Sequence, residues 1–173
     1  MLFPKRLKKS CLDLEMIRKK ILTRSNFIRT ISKLKRQKKK IVFTNGTFDL
    51  LHLGHVTYLE KARKMGDVLI VGVNSDRSVK SYKGPHRPIH GENDRLRVLA
   101  ALESVSFAVL FSESTPLNLI EKIRPHILVK GGDWKKDQMV GATEVESWGG
   151  EVKRISFVLG RSTTKALKKL GLE

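Results

Sequence analysis

The sequence predicts an α/β protein with a doubly wound, five-stranded parallel sheet and flanking helices, preceded by a basic helical extension. Three observations carry this: short apolar runs alternate with helix-like segments five times from Ile41 onward, the run Val68 to Val73 is nearly continuously apolar, and no long apolar tract exists. Alternation of strand and helix implies right-handed crossovers and a parallel sheet. A continuous apolar run is the signature of a strand covered on both faces.

Taken in order, residues 1–40 hold 15 Lys+Arg against 2 Asp+Glu, so most of the formal charge of +18 sits there and only +5 belongs to residues 41–173. Leu14, Ile17 and Ile21 recur at helical spacing, as do Phe27, Ile28, Ile31 and Leu34, with Ser25 as N-cap of the second set. Two short amphipathic helices packed on the following domain are expected; an acid-poor transit peptide is the alternative. The Lys38–Lys40 run reads as the solvated end of the second helix.

Strands are expected at Ile41 to Thr44, Val68 to Val73, Phe107 to Phe111, Ile127 to Val129 and Val152 to Ile155. Helices are expected near Gly54 to Met65, Asn93 to Glu103, Pro116 to Ile123, Gly141 to Trp148 and Thr163 to Leu170. Residues 41–173 therefore read as one domain, with ligands beyond the carboxyl ends of its strands. The 173 residues contain a single Cys, which excludes an internal disulfide framework and any cysteine pair at metal-ligand spacing. With no apolar stretch long enough to span a bilayer and no signal-peptide core, a cytoplasmic protein without membrane contact is expected.

The densest chemistry lies in Asn45-Gly46-Thr47-Phe48-Asp49-Leu50-Leu51-His52-Leu53-Gly54-His55, after the first strand and opening the first helix. Histidines three apart share a face of a helical turn, and at a helix N-terminus they stand beside free N–H groups suited to a phosphate. Gly54 leaves that approach open and Gly46 permits a tight turn. A zinc site would need a third ligand, for which Asp49 is the near candidate, so no protein-held metal is expected. Lys80 and Lys83 lie beyond the second strand and Lys130-Gly131-Gly132-Asp133 beyond the fourth. Trp134 and Trp148 read as packing residues, and His86, His90 and His126 as loop or core residues.

His52-Leu53-Gly54-His55 behind a Gly-Thr-Phe-Asp turn resembles the HxGH signature of the nucleotidyltransferase superfamily, whose fold is Rossmann-like. Arg161-Ser162-Thr163-Thr164 resembles its second motif, a helix start that holds nucleotide phosphates. Further blocks narrow the resemblance to the adenylyltransferases that make ADP-heptose for lipopolysaccharide, found alone or as half of a bifunctional kinase/transferase. These are Val73-Asn74-Ser75-Asp76, Ser78-Val79-Lys80, Lys83-Gly84, Arg87-Pro88, Val98 to Glu103, Leu128 to Trp134 and Gly149 to Val152. Where Thr47 stands, that family commonly has Cys, and Gly-Thr-Phe-Asp also matches glycerol-3-phosphate cytidylyltransferases, the alternative reading.

The resemblance implies that heptose 1-phosphate attacks the α-phosphorus of ATP, releasing pyrophosphate. It implies that His52 and His55 stabilise the α-phosphate and leaving group, with Lys83 as a catalytic cation. Nucleotide contacts fall to Asn45, Gly46, Thr47, Phe48, His55, Lys130, Gly131, Gly132, Asp133, Arg161, Ser162, Thr163 and Thr164. Sugar-phosphate contacts fall to Asp49, Lys80, Lys83 and Arg87, while Asp76 and Asp94 serve the loop or Mg²⁺ or are ordinary surface acids. Mg²⁺ is expected through the nucleotide phosphates, with a homo-oligomer and a separate upstream sugar kinase. A nucleic-acid-binding module using the basic extension is the reading from another class; it lacks aromatic interleaving and any recognised DNA-binding signature.

Overall fold

The computed structural model describes residues 15–132, 138–156, 163 and 171. Six parallel strands form one sheet: β1 (Ile21–Leu22), β2 (Ile41–Gly46), β3 (Val68–Asn74), β4 (Phe107–Phe111), β5 (Ile127–Gly131) and β6 (Glu151–Ile155), in the order β1-β4-β3-β2-β5-β6. The helices are α1 (Arg24–Arg36), α2 (Leu53–Arg63), α3 (Asp76–Lys83), α4 (Glu92–Ala101), α5 (Leu117–Ile123) and α6 (Ala142–Ser147). All seven residues of β3 are buried, as its apolar run requires in a central position.

Alternation along the strands divides the core. Val42, Leu69, Val71 and Val129 face Tyr58, Leu59 and Ala62 of α2 and Leu96 and Leu99 of α4. Their neighbours Ile41, Phe43, Ile70 and Leu128 face the other way, onto Phe27, Ile31 and Leu34 of α1, Ile120 and Ile123 of α5, and Val145 of α6. The sheet therefore carries helices on both faces.

Three expectations are corrected. The sheet has six strands and not five, because Ile21, expected in a helix, pairs with Ala108 and Leu22 with Val109. The N-cap of α1 is consequently Thr23 rather than Ser25; its backbone N–H donates to Asn26 Oδ1 at 2.7 Å. The segment holding Lys80 and Lys83, expected as a loop, is helix α3. It was hidden because only Ser78 and Val79 of its eight residues are buried, which gives no apolar period. Its start is fixed by Ser75, whose Oγ accepts from the Ser78 N–H at 3.2 Å. The final expected helix, apart from Thr163, lies outside the described residues.

After β2 the chain builds β3 and β4 on one side, then returns to place β5 and β6 on the other. The strand order reverses between β2 and β5, so their carboxyl ends flank a crevice at the topological switch point, the expected ligand position.

Candidate active site

The crevice is a cavity of about 520 Å³. Its floor is the join between the two strands: Lys130 at the end of β5 donates from Nζ to Asn45 Oδ1 of β2 at 2.7 Å. Burial pushes the Lys130 ammonium down to about 8, since a neutral amide oxygen replaces little of the water it has lost. A half-buried cation of this kind favours an anionic ligand.

His52 is the N-cap of α2, in extended conformation, and its carbonyl accepts from the His55 N–H at 2.9 Å. The two imidazoles stack with centroids 3.9 Å apart and 23° between planes. Phe48, held in the left-handed region at φ 48°, sets its ring 5.3 Å from that of His55. Burial foremost, then the neighbouring His52 and Lys83, pushes His55 down to about 4, against the Leu50 carbonyl, which raises it. His55 is therefore neutral at pH 7, able to donate one N–H and unable to bring a fixed charge.

The cavity brings together Asn45, Gly46, Thr47, Phe48, Asp49, His55, Lys83, Lys130, Gly131 and Thr163 from the sequence-predicted set. Thr163 ties the distant C-terminal segment to the histidine loop, donating from Oγ1 to the Leu50 carbonyl at 3.3 Å. His52 stands behind His55 and meets the cavity through the stack. Gly132 follows Gly131 without lining it, and Asp133, Arg161, Ser162 and Thr164 lie outside the described residues.

Two residues expected at the sugar phosphate have partners within the chain. Asp49 Oδ2 accepts from Arg87 Nε at 2.8 Å, and its Oδ1 accepts from the backbone N–H groups of Ile89 at 2.7 Å and His90 at 3.0 Å. Both side chains are buried. The pair fastens the 87–90 loop beneath the histidine turn, and among the described residues only Asp49 of the two reaches the cavity wall. Lys80 is exposed on α3 and lies off the cavity, whereas Lys83, at the end of the helix, lines it.

Sequence reasoning missed Tyr58, Asn74, Tyr82, Ser114 and Pro116, which also line the cavity. Tyr58 had a signal: it follows His55 by three residues on one helix, so the two share a face. Its hydroxyl bonds to Thr44 Oγ1 at 2.5 Å and donates to the Val129 carbonyl at 3.1 Å, bridging β2 and β5. Tyr82 OH pairs with Thr47 Oγ1 at 2.6 Å, joining α3 to the turn. Arg95 gave no local signal and is the hub of the site's support. Its side chain donates to the carbonyls of His90 at 2.9 Å, Thr47 at 2.6 Å and Asn74 at 2.7 Å, and to Asp76 Oδ1 at 2.7 Å.

A crevice at the switch point holds an imidazole pair at the start of α2 and a half-buried lysine at the end of β5, an arrangement suited to a phosphorylated ligand. Residues 43–167 match the model of the cytidylyltransferase-like family. This chain belongs to the cytidylyltransferase-like family. It is 53% identical over 151 residues to the bifunctional protein HldE of Methylobacillus flagellatus, a match covering 87% of this chain and 31% of that protein. HldE of Geobacter sulfurreducens is 54% identical over 136 residues, covering 79% and 28%. The chain thus spans about a third of the length of these curated relatives. Among solved structures, a lipopolysaccharide core biosynthesis protein from Thermoplasma volcanium superposes with a TM-score of 0.58 at 33% identity, covering 69% of this chain and 97% of that one.

Proposed function

We propose that this cytidylyltransferase-like chain transfers AMP from ATP to heptose 1-phosphate, forming ADP-heptose and pyrophosphate. The observation that carries it is His55, stacked on His52, lining the switch-point cavity together with Lys83 and Lys130, in a chain 53% identical to HldE over 87% of its length. Leu128 to Gly132, with the following Asp133-Trp134, favours the heptose family over other members. The name of the Thermoplasma relative, in lipopolysaccharide core biosynthesis, supports the same product class.

The chemistry asks little of an acid or base. A phosphate monoester has a second pKa of about 6, so its attacking oxygen is already largely ionised at neutral pH. Alignment and charge stabilisation are what remain. Neutral His55 gives its single N–H to the α-phosphate once it leaves the Leu50 carbonyl, Lys83 supplies a cation at the rim, and Lys130 is held by Asn45 between the two strand ends. Mg²⁺ belongs to this proposal. Among the described residues no group of three or more His, Cys, Asp or Glu could hold a metal, and the ion meant here is one carried by triphosphate oxygens and water. When bound, it neutralises the phosphates and departing pyrophosphate. Asp49, which accepts from Arg87 and two backbone N–H groups, supports the turn and also lines the cavity.

Pyrophosphate release, measured with ATP or CTP against heptose 1-phosphate or glycerol 3-phosphate, tests the assignment. Turnover with ATP and heptose 1-phosphate is expected. Turnover confined to CTP and glycerol 3-phosphate, the pairing that the Gly46-Thr47-Phe48-Asp49 turn also matches, would overturn it.

A further inference from the structure

A second cavity, of about 480 Å³, opens at the other end of the sheet, where β2, β5 and β6 begin. Lys35, Lys38, Lys39 and Arg124 line it with His126 and Trp148, and no carboxylate does so among the described residues. Glu151, at the start of β6, is engaged by Lys153 at 2.8 Å and Lys40 at 3.9 Å. Nucleotidyl transfer at the switch point uses none of these cations.

Two of the four are held in costly backbone conformations. Lys38 has φ 53° and Arg124 φ 48°, and the third non-glycine residue with positive φ among the described residues is Phe48 of the candidate active site. Lys38 follows the end of α1 and Arg124 caps α5, positions where Gly or Asn is usual. A residue with a Cβ is disfavoured there, and such outliers gather at ligand sites. Arg124 is also aimed: its guanidinium lies 5.0 Å over the Trp148 ring, and Trp148 is fixed by donating from Nε1 to the Pro125 carbonyl at 3.1 Å. Burial foremost, then the charge of Arg124, holds the Lys35 ammonium below its usual range.

Helix ends attract cations without any ligand, so their share must be counted. The carboxyl ends of α1, α5 and α6 meet here, and each contributes at most roughly half a negative charge. Three such ends offset fewer than two of the four positive charges. An excess of at least about 2.5 remains, enough to balance one phosphoryl dianion.

We propose that this cavity binds a small ligand through a dianionic phosphoryl group, at a site separate from the switch-point cavity. Its size suits a small molecule. A single-stranded nucleic acid fits less well, because such tracks stack successive bases on several aromatic rings, and the one aromatic ring among the residues lining this cavity other than His126 is covered by Arg124.

Trp148 is a local reporter once Trp134, the other of the two tryptophans, is replaced by Phe. Titration of that full-length chain with inorganic pyrophosphate is expected to give a saturable change in Trp148 emission. Arg124→Gly and Lys38→Gly keep a residue suited to positive φ and remove one cation each. Each is expected to weaken the response about tenfold or more, the scale of one charge-assisted contact, with melting temperature and nucleotidyl-transfer rate undiminished. No saturable change, or affinities unmoved in both variants, would overturn the proposal. So would a response only to an oligothymidylate of about 16 nucleotides, the upper end of a single-strand site.

Discussion

His55 carries its chemistry as a neutral ring, and this has a consequence for stability. Its folded value of about 4 lies below the ordinary 6.5, so between those pH values the unfolded chain binds a proton that the native one refuses. Stability is then fully present above about 6.5 and is lost as pH falls toward about 4, by up to about 3 kcal/mol from this residue. Chemical denaturation across that interval should show the slope, and His55→Gln should flatten it; an unchanged slope would remove His55 as its source. Lys130 gives the complementary expectation on the alkaline side. Its ammonium, pushed down to about 8, loses charge near there, so kcat/KM of the free enzyme should decline above that pH. In Lys130→Arg, whose guanidinium stays protonated, the decline should vanish even if the rate is lower; an identical limb would separate Lys130 from the charge that matters. The histidine turn was legible because its residues are contiguous and its glycines mark a turn. The surroundings of Arg87 and Lys80 were not legible for the opposite reason: whether a cation lies in the cavity or against a buried Asp49 depends on where the fold sends the chain 38 residues later.

Strands β2 to β5 were legible because each is a short, mostly buried apolar run, β6 because it ends the alternation although it buries only Ile155, and the helices between them were legible where an apolar stripe repeats. Helix α3 and strand β1 were not, since α3 buries only two side chains and β1 has two residues. What joins these elements at the site is Arg95 of α4. One guanidinium, almost wholly buried, binds the turn after β2 through Thr47, the end of β3 through Asn74, the start of α3 through Asp76 and the 90-loop through His90. Arg95→Met keeps the length of the side chain and removes every donor, leaving Asp76 and three carbonyls without it. The expected loss is about 3 to 5 kcal/mol, the scale for breaking a buried ion pair from one side, read as a fall in denaturation midpoint. Because Thr47 and Asp76 lose a common anchor, transfer should weaken beyond what unfolding explains. A variant with native midpoint and native rate would show that the elements are held by packing alone.

At the scale of the molecule, the question is whether residues before Ile41 are an appendage. Their composition suggests so: they hold most of the net charge, and the change of pattern at Ile41 reads as a boundary. Packing argues otherwise. Phe27, Ile31 and Leu34 of α1 are buried on the face of the sheet that holds Ile41, Phe43 and Ile70, and β1 pairs with β4, covering part of its edge. Without them, residues 41–173 would present an apolar face and a bare strand edge to water, both hazards for solubility. Burial of a side chain of this size contributes about 1.5 to 3 kcal/mol, so losing three is comparable with the whole stability of a small domain. A chain of residues 41–173 is therefore expected to aggregate or to melt without a cooperative transition, while Ile31→Ala in the full chain should lower the unfolding free energy by about 2 to 5 kcal/mol and still fold. Circular dichroism melts and size-exclusion chromatography of the two would decide it: a soluble, cooperatively melting 41–173 with full transferase activity would make the basic segment an appendage after all.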